Sequence, residues 1–325
     1  MLIPYKYAII GFGIAGQLLV LELLKANISP KDIIICDKTF LGGDLALTYG
    51  SVISNTPWWK TKKALEVYTS DLPSFSTDQC MPVRDIAKSC LTVALKAARD
   101  IEKITTIVLS LERRQAESLW IITHSFDTFK ATTVFLTTGG IETKLDISIP
   151  QIPLAIAMDK EQLKHYISSD IIAVVGTSHS GTIVLDNLQK LSTFAYGIYK
   201  GTVPFVFEPE AYDGLKENSS TIANAILQGE YPHISLTSWN NPLAIHKVLQ
   251  RTTKAVVATG FKANVIHQQF LEYNSETAAL QYPDMYGFGL AYPGVTLING
   301  ISYKDNSVLS YQAQIQKCLP NILKV

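Results

Sequence analysis

Cysteine is scarce and scattered in this 325-residue chain. Cys36, Cys80, Cys90 and Cys318 form no Cys-x-x-Cys pair, and their spacing suits neither a zinc site nor a small disulfide framework. A reducing, cytoplasmic setting is the expectation that follows. Charge of one sign is missing too: 28 lysines and arginines balance 28 aspartates and glutamates. Binding to nucleic acid rests on clustered positive charge that neutralises phosphates, so the balance argues against that class of partner. Lys60-Thr61-Lys62-Lys63 and Glu112-Arg113-Arg114 are short charged runs that read as solvated surface. No Gly-x-Ser-x-Gly or His-Glu-x-x-His occurs, which removes hydrolase and metalloprotease readings. His165, His233 and His246 have no metal-like partners in sequence, and no metal site is expected.

One long apolar run, Tyr7 to Leu24, approaches the length of a membrane span. Gly11, Gly13 and Gly16 crowd one end of it, and Gln17 and Glu22 interrupt the other. Its charged leader is minimal and no small-residue cleavage site follows, so neither a membrane span nor a secretory signal is expected. With 47% apolar residues over 325 positions, the chain suits two packed domains.

Periodicity places the glycines. Tyr7 to Ile10 is a short apolar run of the buried-strand type, Gln17 to Lys25 is helical, and Asp32 to Asp37 is a second strand. Together they make one βαβ unit. The segment from Phe40 to Pro82 is rich in loop formers and aromatics. A helix is expected from Asp85 to Glu102, then strands at Thr105–Leu111, Ser118–Thr123 and Thr132–Thr137, the first two in an antiparallel meander. Ile149-Pro150-Gln151-Ile152-Pro153 reads as a crossing between domains. The opening pattern then recurs: strand Ile171–Val175, a turn from Gly176 to Gly181, a helix to about Leu191, and strand Phe194–Tyr199. Ala255–Ala258 and Val295–Ile298 are further strands, and Ser307–Ile322 is a closing helix stopped in the region of Pro320.

Gly11, Gly13 and Gly16 stand between strand and helix, the context that a dinucleotide fingerprint requires. Of the three, Gly11 permits the tight turn, Gly13 lets backbone approach a pyrophosphate, and Gly16 lets helix and strand pack. The helix start, with Ile14 and Ala15, offers unpaired N–H groups to phosphate. Asp37, 21 residues past Gly16, ends the second strand beside Lys38, where a carboxylate accepts hydrogen bonds from a ribose. The second turn, Gly176-Thr177-Ser178-His179-Ser180-Gly181, has serine at the middle position; serine is still small, and the hydroxyls of Ser178 and Ser180 can donate to phosphate oxygens. Tyr199-Lys200 stands where an acidic residue would select NADH. Lys200 either pairs with the 2′-phosphate of NADPH or is simply solvated. His179 either lines a nicotinamide path or merely begins the helix.

These motifs, with several shorter ones, resemble those of the two-dinucleotide-domain flavoproteins, most of all flavin-containing monooxygenases and siderophore-type N-hydroxylases. Leu41-Gly42-Gly43-Asp44-Leu45 is similar to the family's Gly-Gly-x-Trp segment. Ser54-Asn55-Thr56-Pro57 and Tyr68-Thr69-Ser70-Asp71-Leu72-Pro73 resemble its Asn-Thr-Pro/Ser and Ser-Asp-x-Pro stretches. Ala258-Thr259-Gly260-Phe261 resembles Ala-Thr-Gly-Tyr, and Asn299-Gly300 with Asp305–Ser310 resembles the closing Gly…Asp-Thr-Leu-Leu-Ser stretch. The chain is shorter than typical members and lacks a Phe-x-Gly-x-x-x-His signature before the second fingerprint. It also lacks the close cysteine pair of the relatives that reduce thioredoxin or glutathione.

The resemblance implies an α/β fold of two Rossmann-like three-layer domains, the second inserted in the first. The expected FAD domain is 1–148 with 253–325, and the expected NAD(P)H domain is 149–252. FAD would lie on Gly11–Gly16 and Asp37, its cradle completed by Gly43, Thr138, Gly139, Asn299 and Gly300. Asn55 would sit near the reactive edge of the flavin, or else serve an Asx-turn. Three functions follow: oxygenation of a small nitrogen or sulfur nucleophile, disulfide-free transfer of electrons to another acceptor, or cofactor binding without catalysis. The partner in each enzymatic case is a small molecule, with no membrane and with a homodimer left open.

Overall fold

The computed structural model describes residues 3–208, 214–266, 272–298 and 300–324. The chain divides into two compact units. The first is Met1–Gly50, Pro57–Ile141 and Ala263–Val325; the second is Ser51–Thr56 and Glu142–Lys262.

In the first unit, Tyr5–Ile10 lies parallel to both Ile33–Asp37 and Thr128–Leu136, and Glu102–Thr105 continues the parallel set beyond Ile33–Asp37. The meander follows on the other side, with Leu119–His124 antiparallel to Thr128–Leu136 and to Val108–Arg114. Thr128–Leu136 is long enough to take two neighbours along one edge. Its first half pairs with the meander (Ala131 with Trp120), and its last three residues pair in parallel with Met285–Gly287. The result is a seven-stranded sheet.

Strand alternation sorts the side chains between two cores. Tyr7, Ile9, Ile33, Ile35 and Phe135 face a core shared with the helices Ile14–Lys25, Val83–Ala97 and Val308–Ile322. Ala8, Ile10, Ile34, Cys36, Val134 and Leu136 face a second core with Trp120 and Ile122 of the meander. The long apolar run at the N-terminus is thereby a buried strand followed by a buried helix. Every residue from Ile14 to Leu23 is buried, which is why that helix reads as apolar all round rather than striped. It ends where Asn27 takes a left-handed conformation (φ 61°) and the Ile28 N–H reaches back 3.1 Å to the Leu23 carbonyl. Among the described residues, no helix is long and apolar enough to cross a membrane.

In the second unit five parallel strands run in the order Gln151–Ile152, Lys254–Val257, Ile172–Val175, Ala195–Tyr199, Ile234–Ser238. Ala173, Val175, Ile198 and Ala255 pack on Ile245 and Val248 of the helix Pro242–Arg251. The protein is thus an α/β chain of two Rossmann-like three-layer domains, with 142–262 lying in sequence between segments of the first.

Several elements differ from the sequence reading: the helix expected over Asp85–Glu102 is Val83–Ala97, and the strand expected at Thr105–Leu111 is two, Glu102–Thr105 and Val108–Arg114. Ile149–Pro153 holds a strand rather than a bare crossing: Gln151 anchors it by donating from Nε2 to the Leu145 carbonyl at 2.7 Å. The segment 40–82 contains the helix Trp58–Leu65, whose Trp58 is buried and meets Phe75 edge-on at 5.1 Å. The closing helix, expected over Ser307–Ile322, is found at Val308–Ile322 with Ser307 as its N-cap; Pro320 stands two residues from its end and so leaves most of the helix's hydrogen bonds intact.

A partly buried polar knot ties three helices of the first unit, Ile14–Lys25, Trp58–Leu65 and Val308–Ile322. The Glu22 carboxylate accepts from the Tyr68 hydroxyl and, at 2.6 Å, from Gln316 Nε2. Gln312 Nε2 donates to Tyr68 at 2.9 Å and to the Ala64 carbonyl at 2.7 Å. Replacing Glu22 by Ala takes the charged acceptor from the half-buried Tyr68 hydroxyl and from the exposed Gln316 amide. We expect it to lower unfolding free energy by about 1–3 kcal/mol, measured by urea denaturation of the apoprotein; an unchanged midpoint would count against the knot.

Candidate functional site: two glycine turns

The first turn is built from backbone pressed on backbone. Gly11 has φ 101°, and a Cβ there would lie 2.5 Å from the Thr137 carbonyl oxygen. A Cβ on Gly16 would lie 2.3 Å from the Gly11 carbonyl oxygen. Both glycines are therefore demanded by the protein itself. Thr137, which the sequence reading passed over, holds the arrangement: its Oγ1 donates to the carbonyls of Gly11 (2.7 Å) and Ile10 (3.1 Å), and its N–H to Ile10.

Gly13 is different. Its φ of −69° and ψ of −175° suit any residue, and a Cβ would meet nothing within 4 Å. The protein leaves this space open directly over the start of helix Ile14–Lys25. No side chain caps that helix and no acidic residue stands in its first turn. Its first N–H groups and dipole thus face the gap, the arrangement that receives a phosphate. Ile14 and Ala15 are buried at its floor. The residues present fit a diphosphate.

Asp37 arrives at the end of its strand beside this turn. Its Oδ2 accepts the Phe12 N–H at 2.6 Å, and its Oδ1 accepts the N–H groups of Thr39 and Phe40 at 2.9 Å each. A carboxylate offers about four acceptor positions, so one serves the glycine turn, two serve the loop after the strand, and one, on Oδ2, is left for a hydroxyl. Lys38 is exposed and pairs with Asp44 at 3.6 Å. The Gly42-Gly43 turn passes alongside, both residues at positive φ, and a Cβ on Gly43 would come within 3.0 Å of Gly13 Cα.

The expected closing pieces are placed as follows. Thr138 Oγ1 donates to the Asn264 carbonyl at 2.6 Å, and the Asn264 N–H donates to the carbonyl of Gly139, which has φ 71°. Asn299 lies outside the described residues. Gly300 (φ 78°) occupies the turn of an antiparallel hairpin, Gly294–Ile298 with Ile301–Asp305, apart from the seven-stranded sheet. The late segment that does reach the first turn is Gly289: at φ 86°, a Cβ there would come within 2.6 Å of Ala15 Cβ. Only its place in Gly287-Phe288-Gly289, just after a strand, could have signalled it.

The second unit repeats the construction. Gly176 has φ 100°, and its Cβ would lie 2.5 Å from the Ala258 carbonyl oxygen; a Cβ on Gly181 would lie 2.0 Å from the Gly176 carbonyl oxygen. The Gly11 N–H donates to Cys36 and the Gly176 N–H to Ile198, both at 2.8 Å. Ala258 thus stands where Thr137 stands in the first unit. Ser178 begins the helix His179–Lys190 at φ −76° and ψ −165°, close to Gly13's angles, and its side chain makes no capping bond. Serine is tolerated because this position needs room, not a positive φ. Ser180 is half-buried in the first turn of the helix, as is His179, whose carbonyl accepts from Thr182 Oγ1 at 2.8 Å. Lys200, exposed after Ala195–Tyr199, makes no ion pair among the described residues.

Asn55 lies half-buried in the strand Ile53–Pro57. The local turn there belongs to Ser54, whose Oγ accepts the Thr56 N–H at 2.9 Å; Pro57 has no N–H for an Asx-turn from Asn55. Asn55 Oδ1 accepts from Thr56 Oγ1 at 3.3 Å, while its amide nitrogen donates to no described residue. No disulfide joins the cysteines. Burial pushes the thiols of Cys36 and Cys90 up to about 12, Asp37 and Glu102 adding to the effect at Cys36, and burial also raises Cys318.

No protein-family model matches the chain, and no curated protein matches it. Solved structures do. The chain is similar to the bacillithiol disulfide reductase of Staphylococcus aureus, with 13% identity over 99% of both chains and a TM-score of 0.69. It is similar to the FAD-bound cadaverine monooxygenase of desferrioxamine biosynthesis from Erwinia amylovora, with 13% identity over 100% of this chain and 95% of that one and a TM-score of 0.67. It is also similar to the thioredoxin reductase of Lactococcus lactis, with 10% identity over 99% and 100% of the chains and a TM-score of 0.59. At these identities the likeness is one of fold.

The contrast between glycines is testable. Gly13→Ala should leave the apoprotein's stability within about 0.5 kcal/mol of the parent and yet lower the FAD that co-purifies at least tenfold. Gly16→Ala should destabilise the apoprotein itself by about 1–3 kcal/mol. Absorbance of the purified proteins and thermal unfolding measure both; equal flavin content in Gly13→Ala and parent would show that the gap holds no ligand.

Proposed function

We propose that the protein is an FAD-dependent NAD(P)H oxidoreductase, with FAD bound by the first unit and the nicotinamide cofactor by the second. The observation that carries this reading is the duplicated turn: two strand-to-helix crossings with the same backbone contacts, each with a helix start left uncapped by side chains. One such turn would support a single dinucleotide. Two in one chain support a donor and an acceptor of electrons. The fold shared with an FAD-bound monooxygenase and two reductases agrees with it.

In this reading the residues of the chain bind and orient, and the bound flavin and nicotinamide supply hydride and electron transfer. Gly13, Ile14, Ala15 and Gly16 hold the FAD diphosphate by N–H donation, with Gly43 closing against Gly13 and Asp37 Oδ2 taking a ribose hydroxyl. Thr138 and Gly139 continue the cradle, and Gly300 and Asn299 follow from the family resemblance. Gly176, Ser178, Ser180 and Gly181 hold the second diphosphate, His179 begins the helix beside it, and Lys200 meets a 2′-phosphate, which selects NADPH. Asn55 brings an unspent amide N–H to the substrate and can hold developing negative charge without releasing a proton.

The cysteines of the chain do not support a disulfide acceptor relayed through protein thiols. Three of the four cysteines are buried, and burial raises the thiols of Cys36 and Cys90 well above the ordinary range, which disfavours the thiolate that disulfide exchange needs. Oxygenation of a small nitrogen or sulfur nucleophile is the finer reading we favour, on the motif resemblance around Asn55. Disulfide-free electron transfer to another small acceptor is the second reading, supported by the fold shared with reductases.

Anaerobic titration with NADPH should bleach the flavin absorbance. On admitting air, an oxygenase consumes oxygen in proportion to an N- or S-oxidised product; the second reading gives turnover only with an added acceptor such as a quinone. No bleaching by NADPH or NADH would overturn both and leave a binding protein. Asn55→Ala should keep its FAD and lose at least tenfold in kcat. Iodoacetamide at pH 8 should label the native protein at Cys80 alone, since alkylation needs thiolate and exposure; modification of Cys36 or Cys90 without unfolding would contradict the burial described.

A further inference from the structure

Ser238 ends the strand Ile234–Ser238 and pairs in register with Tyr199, the last residue of the neighbouring strand. Just past this edge, two loops are tied together. The Trp239 N–H donates to the Tyr199 carbonyl at 2.8 Å, and Ser238 Oγ and Asn240 Nδ2 both donate to the Gly201 carbonyl at 3.4 Å. Ser238 further braces the turn by accepting the Asn240 N–H at 3.2 Å on its Oγ and the Asn241 N–H at 3.1 Å on its carbonyl. A turn so heavily bonded presents an indole that is 46% exposed. Beside it stands exposed Lys200, followed by Gly201 at φ 111°, where a Cβ would meet nothing. No aspartate or glutamate occurs in 199–207 or in 239–251, the turn and the helix Pro242–Arg251 that follows it; the first acidic residue after Lys200 is Glu208, whose carboxylate lies 4.0 Å from Lys216 Nζ.

We infer that Trp239 is the platform on which the adenine of the nicotinamide cofactor stacks, with Lys200 taking the 2′-phosphate of the same adenosine. This rests on the proposal that the second unit binds NAD(P)H, and it adds the part of the ligand that the glycine turn does not explain. The location follows from topology. The diphosphate belongs at the end of Ile172–Val175, and ligands of open parallel sheets lie along the carboxyl ends of the strands. Trp239 stands two strand spacings away, about 10 Å, which is the length of a nucleoside. An indole ring offers an adenine a large π-face at little entropic cost, since the turn beneath it is already fixed. The lysine at the strand end completes the case, because an acidic group at Lys200's position would repel a 2′-phosphate and favour NADH.

The test compares ligands that do and do not carry the adenosine. NADPH, NADH, 2′,5′-ADP and reduced nicotinamide mononucleotide are titrated against the FAD-loaded protein and its variants. Binding of 2′,5′-ADP should quench indole fluorescence in the parent, and Trp239→Phe should lose that quench while keeping affinity within about threefold. Trp239→Ala should weaken NADPH and 2′,5′-ADP about tenfold and leave the KM for the mononucleotide unchanged. Lys200→Ala should weaken NADPH about tenfold, leave NADH unchanged and so erase the preference between them. If NADPH reduces the flavin but Trp239→Ala binds it and 2′,5′-ADP as the parent does, the platform is overturned and the oxidoreductase reading stands. If neither nicotinamide dinucleotide nor the mononucleotide binds or reduces the flavin, both fall together.

Discussion

Everything in the first unit hangs on one crowded contact, the Thr137 carbonyl against Gly11 and the Gly11 carbonyl against Gly16. Two peptide oxygens sit where side chains would ordinarily stand. That closeness pulls the helix Ile14–Lys25 onto the strand Tyr5–Ile10 and brings its first turn level with the end of Ile33–Asp37. The void at Gly13 is a by-product of the same compression: with the chain pinned on both sides, its middle residue bows outward and carries no side chain into the gap. Asp37 then locks the bow from behind through the Phe12 N–H. The site is a backbone object, and the side chains around it mostly serve to hold that backbone.

The second unit shows how much of this geometry is independent of the residues that realise it. Ala258 presents its carbonyl to Gly176 as Thr137 does to Gly11, with no hydroxyl to reinforce the contact. Ser178 repeats the dihedral angles of Gly13 with a side chain attached. Two glycines of the three are obligatory on steric grounds, and the middle one is a matter of clearance for whatever approaches. A serine there narrows the approach and adds a hydroxyl, a difference a ligand would feel and the fold would not.

Legibility in the sequence followed the same division. The strand–glycine–helix–strand order around Gly11 and Gly176 was readable because local periodicity and turn chemistry both mark it, and the fold class came with it. Thr137 was not readable: it approaches Gly11 from a strand more than a hundred positions away, and nothing local distinguishes it from Thr132 or Thr133. Gly289 escaped for the same reason, since its contact with Ala15 is set by sheet pairing and not by sequence neighbours. The helix Trp58–Leu65 was hidden among aromatics and lysines whose pattern is weakly periodic. Asn55 was legible as a motif, and its freedom from an Asx-turn became plain once Pro57 was seen to offer no N–H. The polar knot at Glu22 was invisible, because a glutamate in an apolar helix looks like an interruption until its partners from other helices surround it.

The divided edge of Thr128–Leu136 bears on the order of biosynthesis. When the first 140 or so residues have left the ribosome, Val134–Leu136 has no neighbour on that side, since Met285–Gly287 is still unmade. The segment between, Glu142–Lys262, supplies all five strands of its own sheet and can become compact during translation. The nascent N-terminal half therefore waits with an open sheet margin and with Ala15 uncovered, and only the arrival of Gly289 seals it. A chain truncated before residue 285 would carry that raw margin permanently, and chaperone dependence would be concentrated in this interval of synthesis.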